Sequence, residues 1–139
     1  MIILMDVGNS RIKWGWLDGQ GLHSGLALPT AGAIEQALAM VWDGLAVPSR
    51  VLVSNVGGMD LARRLDRWLK TRFAIRAEFI ASRPQGYGVV NGYSQPERLG
   101  CDRWLALVAL RHGWRGAVCV LDVGTAATFD LLDGDGRHR

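Results

Sequence analysis

The sequence predicts an α/β fold: a mixed sheet with helices packed on it, followed by the opening hairpin of a second, similar unit. Three observations predict it. Apolar runs at Met1 to Met5 and Ala117 to Leu121 each lead into Asp-x-Gly, at Asp6-Val7-Gly8 and Asp122-Val123-Gly124. Apolar residues then recur at every second position after Gly8, and at helical spacing over 34–42 and 61–69. Strand-like segments at 50–54 and 73–80 alternate with those helical stretches, the order of a sheet covered by helices.

The first apolar run is too short and too β-branched for a helix, so it reads as a buried strand near 2–7. Gly8-Asn9 is a sharp turn signal with the chemistry for positive φ. Ile12, Trp14 and Trp16 alternate with Arg11, Lys13 and Gly15, the period of a half-buried strand near 11–17. The element is a β-hairpin with an acid before its turn, small polar groups in it and a lysine just after. Such a turn can bring backbone N–H groups to an anion, with Asn9, Ser10 and Lys13 adding donors and Asp6 open to a hydrated divalent cation. It is equally an ordinary hairpin in which Asp and Asn serve turn geometry alone. The second Asp-x-Gly favours the first reading, because two such units look like the start of two structural repeats.

Between them, Gly19-Gln20-Gly21 is a turn and 22–28 a third strand. Pro29-Thr30 announces a helix with Thr30 as N-cap and Ile34, Ala37, Leu38, Val41 and Trp42 on one face. A buried strand at 50–54 precedes a helix over 59–72 whose stripe is Leu61, Leu65, Trp68 and Leu69. Its cations Arg63, Arg64, Arg67 and Lys70 read as a solvated face partly paired with Asp60 and Asp66. After the strand at 73–80, Ser82 to Tyr93 is a loop rich in Gly, Pro, Asn and Tyr. Ser94-Gln95-Pro96-Glu97 reads as a capping box that opens a helix over 95–112. Asp102 falls there among Leu99, Leu105 and Ala106, so its charge must be paired or face a cleft. An i, i+4 pair with Arg98 is the structural alternative.

At 139 residues, 49% hydrophobic and 21% charged, the chain is long and apolar enough for a real core. A net charge of +3 suits an anionic substrate and is far too weak to argue for nucleic acid. Cys101 and Cys119 lack metal spacing and read as a reduced pair. No basic n-region precedes Asp6 and no segment has the length of a membrane span, so the expectation is a cytoplasmic protein without membrane partners.

Asp6-x-Gly-Asn-Ser-x-x-Lys13, Asn91-Gly-Tyr-Ser-Gln-Pro96, Gly100-x-Asp-Arg-Trp104 and Asp122-x-Gly-Thr-Ala126, in that order, resemble the type III pantothenate kinases of the actin, sugar-kinase and Hsp70 superfamily. The resemblance implies an actin-like (ribonuclease H-like) first lobe over 1–115 and the truncated start of a second lobe over 116–139. It implies ATP-dependent phosphorylation of pantothenate to 4'-phosphopantothenate, the first step of coenzyme A biosynthesis, the chain looking like the N-terminal half of a kinase that is a homodimer at full length. By the same resemblance Asp6, Val7, Gly8, Asn9, Ser10, Arg11, Ile12 and Lys13 hold ATP phosphates, with Asp6 near magnesium and Thr125 a second phosphate-side contact. Tyr93, Gly100, Cys101, Asp102 and Arg103 bind pantothenate, Arg103 taking its carboxylate and Asp102 acting as general base. Asp122 resembles the ligand of a monovalent cation, potassium or ammonium. Cys101 departs from the smaller residue expected between Gly100 and Asp102. A non-catalytic regulatory protein on the same scaffold, or another small-molecule kinase or a phosphatase of the superfamily, are the other readings.

Overall fold

The computed structural model describes residues 1–124 and 126–139. The chain forms two compact units, Met1–Ile80 and Ala81–Arg139. This packing boundary falls well before residue 115, where the sequence places the end of the first lobe.

In the first unit β1 (Ile2–Val7) and β2 (Arg11–Asp18) form the expected hairpin, with Asp6 opposite Lys13 and Val7 opposite Ile12. β3 (Gly21–Ser24) and β4 (Leu28–Pro29) both pair with β2. After α1 (Ile34–Val41), β5 (Arg50–Asn55) lies parallel to β1, and α2 (Met59–Phe73) leads to β6 (Ala77–Phe79), parallel to β5. The sheet is therefore mixed, in the order β3-β2-β1-β5-β6. Alternation decides its faces: Ile3, Met5, Val7, Ile12, Trp14, Val51 and Val53 are buried together with Ile34 and Leu38 of α1 and Leu61, Leu65 and Leu69 of α2. The two helices are joined at their surface by Arg64, whose guanidinium donates to both carboxylate oxygens of Glu35 at 2.8 and 2.7 Å. Asp66 turns to β6 instead of its own helix, accepting from Arg76 and from the Ala77 N–H.

Four expectations are corrected in this unit. Neither Gly8 nor Asn9 takes a positive φ, and the strand expected over 73–80 shrinks to Ala77–Phe79 because α2 runs on to Phe73. The single strand over 22–28 is two short ones, because the chain bends at Gly25, packed so closely on Trp14 that a Cβ there would lie 2.2 Å from the indole ring. The indole N–H in turn donates to the Leu26 carbonyl at 2.9 Å. Thr30 does not cap α1, whose N-cap is Ala33; its hydroxyl donates instead to the Asn9 carbonyl at 2.7 Å. A tertiary bond to the first hairpin wins over a local one to the helix.

The second unit opens with a small hairpin, β7 (Gln85–Gly86) and β8 (Val89–Val90), inside the stretch expected to be a loop. The helix expected over 95–112 is broken. Pro96–Arg98 is a single 3₁₀ turn, Leu99 and Gly100 are extended, and α3 runs Cys101–Gly113. The break is a burial effect: Leu99 is fully buried, and its carbonyl accepts the Ser82 hydroxyl at 2.6 Å. The capping-box signal at Ser94 therefore marks a turn, not the helix start. β9 (Val118–Val123) and β10 (Ala127–Leu132) form the second hairpin. Leu132 joins Val89, Leu99, Trp104 and Leu107 in a second small core. The chain then returns along β8, with Val90 N–H donating to Gly136 O at 2.8 Å and His138 N–H to Val90 O at 2.9 Å. Glycine permits that return, since a Cβ on Gly92 would lie 2.2 Å from the His138 carbonyl oxygen.

Gly25→Ala tests how tightly the first core is specified. The added methyl has no room beside Trp14, and overpacking of this kind costs about 1–3 kcal/mol. We expect a loss in that range in chemical denaturation; a change under about 0.5 kcal/mol would show that Trp14 moves aside freely.

Candidate functional site

The residues singled out by sequence fall on both units. In the first unit, the turn between β1 and β2 is tied down almost entirely through its carbonyls. Val7 O accepts from the N–H groups of Val56 and Gly57, Asn9 O from the Thr30 hydroxyl, Ser10 O from Thr30 N–H, and Arg11 O from Gly8 N–H. The N–H groups of Asn9 and Ser10 take no part in these bonds, and both residues are exposed. The turn thus keeps two exposed backbone donors uncommitted among the described residues, which an anion site requires. Gly57 belongs to the same construction, because a Cβ there would lie 2.7 Å from Gly8 O. Asp6 and Lys13 emerge side by side from opposite strands, with Nζ 3.7 Å from Oδ2 and side chains 71% and 43% exposed for Lys13 and Asp6. So loose and wet a pair contributes under about 1 kcal/mol and leaves both groups open to a ligand. Val7 and Ile12 are buried core residues, while Arg11 is exposed.

In the second unit, Asp102 occupies the first turn of α3, just after the extended Gly100. Its Oδ1 accepts the Arg103 N–H at 2.8 Å. The proposed i, i+4 pair with Arg98 does not exist, since Arg98 belongs to the 3₁₀ turn before the break. Asp102 is half-buried and has no ion-pair partner among the described residues. Cys101 is buried and Cys119 exposed, and they are not bridged.

Arg103 is held far more firmly. Its Nε donates to Asp130 Oδ2 at 2.8 Å and its Nη2 to Asp130 Oδ1 at 2.5 Å, while Nη1 donates to the Tyr93 hydroxyl at 3.1 Å. Asp130 lies in β10 with its side chain 2% exposed, and it also accepts from His138 Nε2 at 2.7 Å. A carboxylate only accepts, so His138 carries its proton on Nε2. The His138 ring stacks on Tyr93, with centroids 5.7 Å apart and planes 13° from parallel. Tyr93 is placed by its neighbour Asn91, a buried amide whose Oδ1 accepts the Tyr93 N–H at 3.0 Å and whose Nδ2 donates to the carbonyls of Arg83 and Pro96.

Burial pushes the Asp130 carboxyl up, but the hydrogen bonds from Arg103 and His138 outweigh it and leave the group below the usual carboxylate range. The same bond with Asp130 raises the Arg103 guanidinium further, against the effect of burial. Because the folded value of Asp130 is the lower one, its stabilising contribution is complete above the ordinary carboxylate range. It is lost as pH falls through the depressed value. Removing one member of so buried a pair costs about 3–5 kcal/mol.

Asp130 and His138 were not singled out by sequence, and Asn91 only as the first residue of the motif that contains Tyr93. A signal for Asp130 existed: it is an acid inside the apolar run Phe129 to Leu132, the same argument that drew attention to Asp102.

The second hairpin reproduces the first in outline. Asp122 stands near the end of β9, opposite Thr128, and Gly124 N–H closes the turn on Ala126 O at 3.0 Å. Its turn is one residue shorter, since Val123 faces Ala127 where Val7 and Ile12 are separated by Gly8 to Arg11. Asp122 is exposed, and Thr125 lies outside the described residues. No cluster of three potential metal-ligating side chains occurs among the described residues. Among the described residues no helix is long and apolar enough to cross a membrane.

A family model described as type III pantothenate kinase matches residues 2–139. A type III pantothenate kinase of Nitrosococcus oceani is 47% identical over 99% of this chain and 54% of its own length. That of Halorhodospira halophila is 37% identical over 99% of this chain and 57% of its own, and that of Azoarcus sp. 37% over 100% and 52%. The chain thus spans about half the length of the curated relatives it matches. Among solved structures, a candidate N-acetylglucosamine kinase from Porphyromonas gingivalis superposes with a TM-score of 0.49 at 18% identity, over 97% of this chain and 45% of that one. The Ppx/GppA phosphatase of Aquifex aeolicus gives 0.46 at 13% identity, over 96% and 48%. Both scores are too low to bear on function. The match to the family model runs from the first hairpin through the Gly-x-Asp-Arg helix start to the second hairpin, and the chain belongs to the type III pantothenate kinase family.

Proposed function

We propose that the protein carrying this chain transfers a phosphoryl group from ATP to the primary hydroxyl of pantothenate, the entry step to coenzyme A. The observation that carries the reading is Asp102: a half-buried carboxylate on the rigid first turn of α3, without an ion-pair partner among the described residues and next to Arg103. Phosphoryl transfer asks mainly for alignment, charge neutralisation and a group that accepts the nucleophile's proton. Asp102 takes the hydroxyl proton. Tyr93 and the 100–103 segment hold pantothenate, with the Arg103 cation set against its carboxylate.

The β1–β2 turn receives the ATP phosphates on the uncommitted N–H groups of Asn9 and Ser10, with Lys13 adding charge. Thr125 is the corresponding contact on the second hairpin. Magnesium, bound with the nucleotide, neutralises charge on the transferred phosphoryl group. Asp6 fits its outer hydration shell, being half-exposed and held only by a long contact to Lys13. Asp122, exposed beside the second turn, fits a single carboxylate ligand to potassium or ammonium. In this reading 1–115 is an actin-like first lobe and 116–139 opens a second. The outer face of the β9–β10 hairpin supports it, with Leu121, Val123 and Phe129 at 67%, 71% and 63% exposure, an apolar surface suited to burial by further structure. A homodimer acting in the cytoplasm completes the proposal.

Three measurements test it. Asp102→Asn in the complete gene product is expected to lower kcat at least about a hundredfold with little change in melting temperature. Near-normal turnover, or simple unfolding, would assign Asp102 a structural role. Arg103→Lys keeps the charge but loses the fork, and should raise KM for pantothenate while leaving that for ATP nearly unchanged. A shift confined to the ATP value would move Arg103 to the phosphate side. Finally, a polypeptide of these 139 residues should show no turnover with ATP, magnesium, potassium and pantothenate, and should associate through its exposed hairpin. Turnover by a monodisperse monomer would contradict the two-lobed reading.

A further inference from the structure

In the proposed function Arg103 binds the substrate carboxylate, and any role for Asp130 in substrate binding rests on that reading. A guanidinium has five N–H donors. In this structure Nε–H and one Nη2–H are spent on Asp130, and one Nη1–H on the Tyr93 hydroxyl. The edge that usually grips a carboxylate, Nε with Nη2, is already filled by an internal carboxylate. One N–H on Nη1 and one on Nη2 remain for a second acceptor.

We propose that Asp130, backed by His138, is a positioning residue that fixes the Arg103 guanidinium so that it meets the substrate carboxylate end-on, through Nη1 and Nη2, beside the Tyr93 hydroxyl. The residues are built for this. Asp130 and His138 are both buried, and each makes its bond to the other at 2.7 Å. His138 is held from the far side by its backbone, whose N–H donates to Val90 O, and its ring lies flat against Tyr93. Its Nδ1 is buried and has no hydrogen-bond partner among the described residues, so the ring is committed to Asp130 through Nε2 alone. Tyr93 is thus set by Asn91 on one side and His138 on the other, and Arg103 by Asp130 and Tyr93. A side chain with as many rotatable bonds as arginine is presented in one orientation, which lowers the entropy lost on gripping a small anion.

The experiment is steady-state kinetics on the complete gene product carrying Asp130→Asn, His138→Ala, His138→Gln and, as a reference, Arg103→Lys. We expect Asp130→Asn to raise KM for pantothenate about tenfold or more, with KM for ATP within about twofold of the parent. His138→Ala should raise the pantothenate value too, and His138→Gln, which still offers a donor to Asp130, should raise it less. If Asp130→Asn does not fold, the two His138 variants supply the same reading. A folded Asp130→Asn or His138→Ala enzyme with unchanged KM for pantothenate overturns the inference, as does an equal rise in both substrates' values. Should Arg103→Lys raise the pantothenate value while those variants do not, the inference alone fails and the function stands. Should Arg103→Lys leave it unchanged, Arg103 does not bind the carboxylate, and the inference falls together with that assignment of Arg103.

Discussion

The second unit is organised around one buried carboxylate. Asp130 sits in a strand otherwise made of apolar and small residues, and it is tolerable there because three charge-assisted hydrogen bonds meet it from two directions. Those bonds tie together the start of α3 through Arg103, the strand β10, and the returning tail through His138, which also meet in the small core and in the tail's backbone bonds to β8 and β10. Tyr93 closes the group by accepting from Arg103 and stacking on His138. An apolar core of this size has few residues to give it a unique arrangement, and directional bonds to one acceptor supply the missing specificity.

The first unit reaches the same end by a different route. Its core is large and its helices cover one face of the sheet, so packing alone fixes β1 and β2. What packing leaves undetermined is the turn between them, and there the molecule spends hydrogen bonds on carbonyls, drawing donors from Thr30, Val56 and Gly57. One unit therefore positions a cationic side chain and the other a row of backbone dipoles. Both suit an anionic substrate, in keeping with the modest excess of positive charge.

Much of this was legible in the sequence where the determinants are local. The β1–β2 hairpin shows itself in the alternation of Ile12, Trp14 and Trp16, and α2 in the stripe from Leu61 to Leu69. What failed was decided by contacts between distant residues. Ser94 and Glu97 make a sound capping pattern, yet burying Leu99 with its carbonyl on Ser82 breaks the helix after Arg98. Thr30 is a good N-cap by type and goes to Asn9 instead. Gly25 gives no hint in the sequence that an indole ring occupies the space beside it. The partnership of Arg103 with Asp130 and His138 has no spacing signature either, because its members meet only once a helix, a hairpin and a tail have packed.

The bonded carbonyls of the first turn carry a thermodynamic consequence. A loop that must organise itself around a phosphate loses backbone freedom at the moment of binding, roughly 1–2 kcal/mol for each residue fixed. Here the carbonyls of Val7, Asn9, Ser10 and Arg11 already accept from Val56 and Gly57, from Thr30, and from Gly8 within the turn. That loss is incurred when the domain folds. If this turn receives the nucleotide as proposed, its affinity and the stability of the fold are coupled, so a change at Thr30 or Gly57 would reach the one through the other.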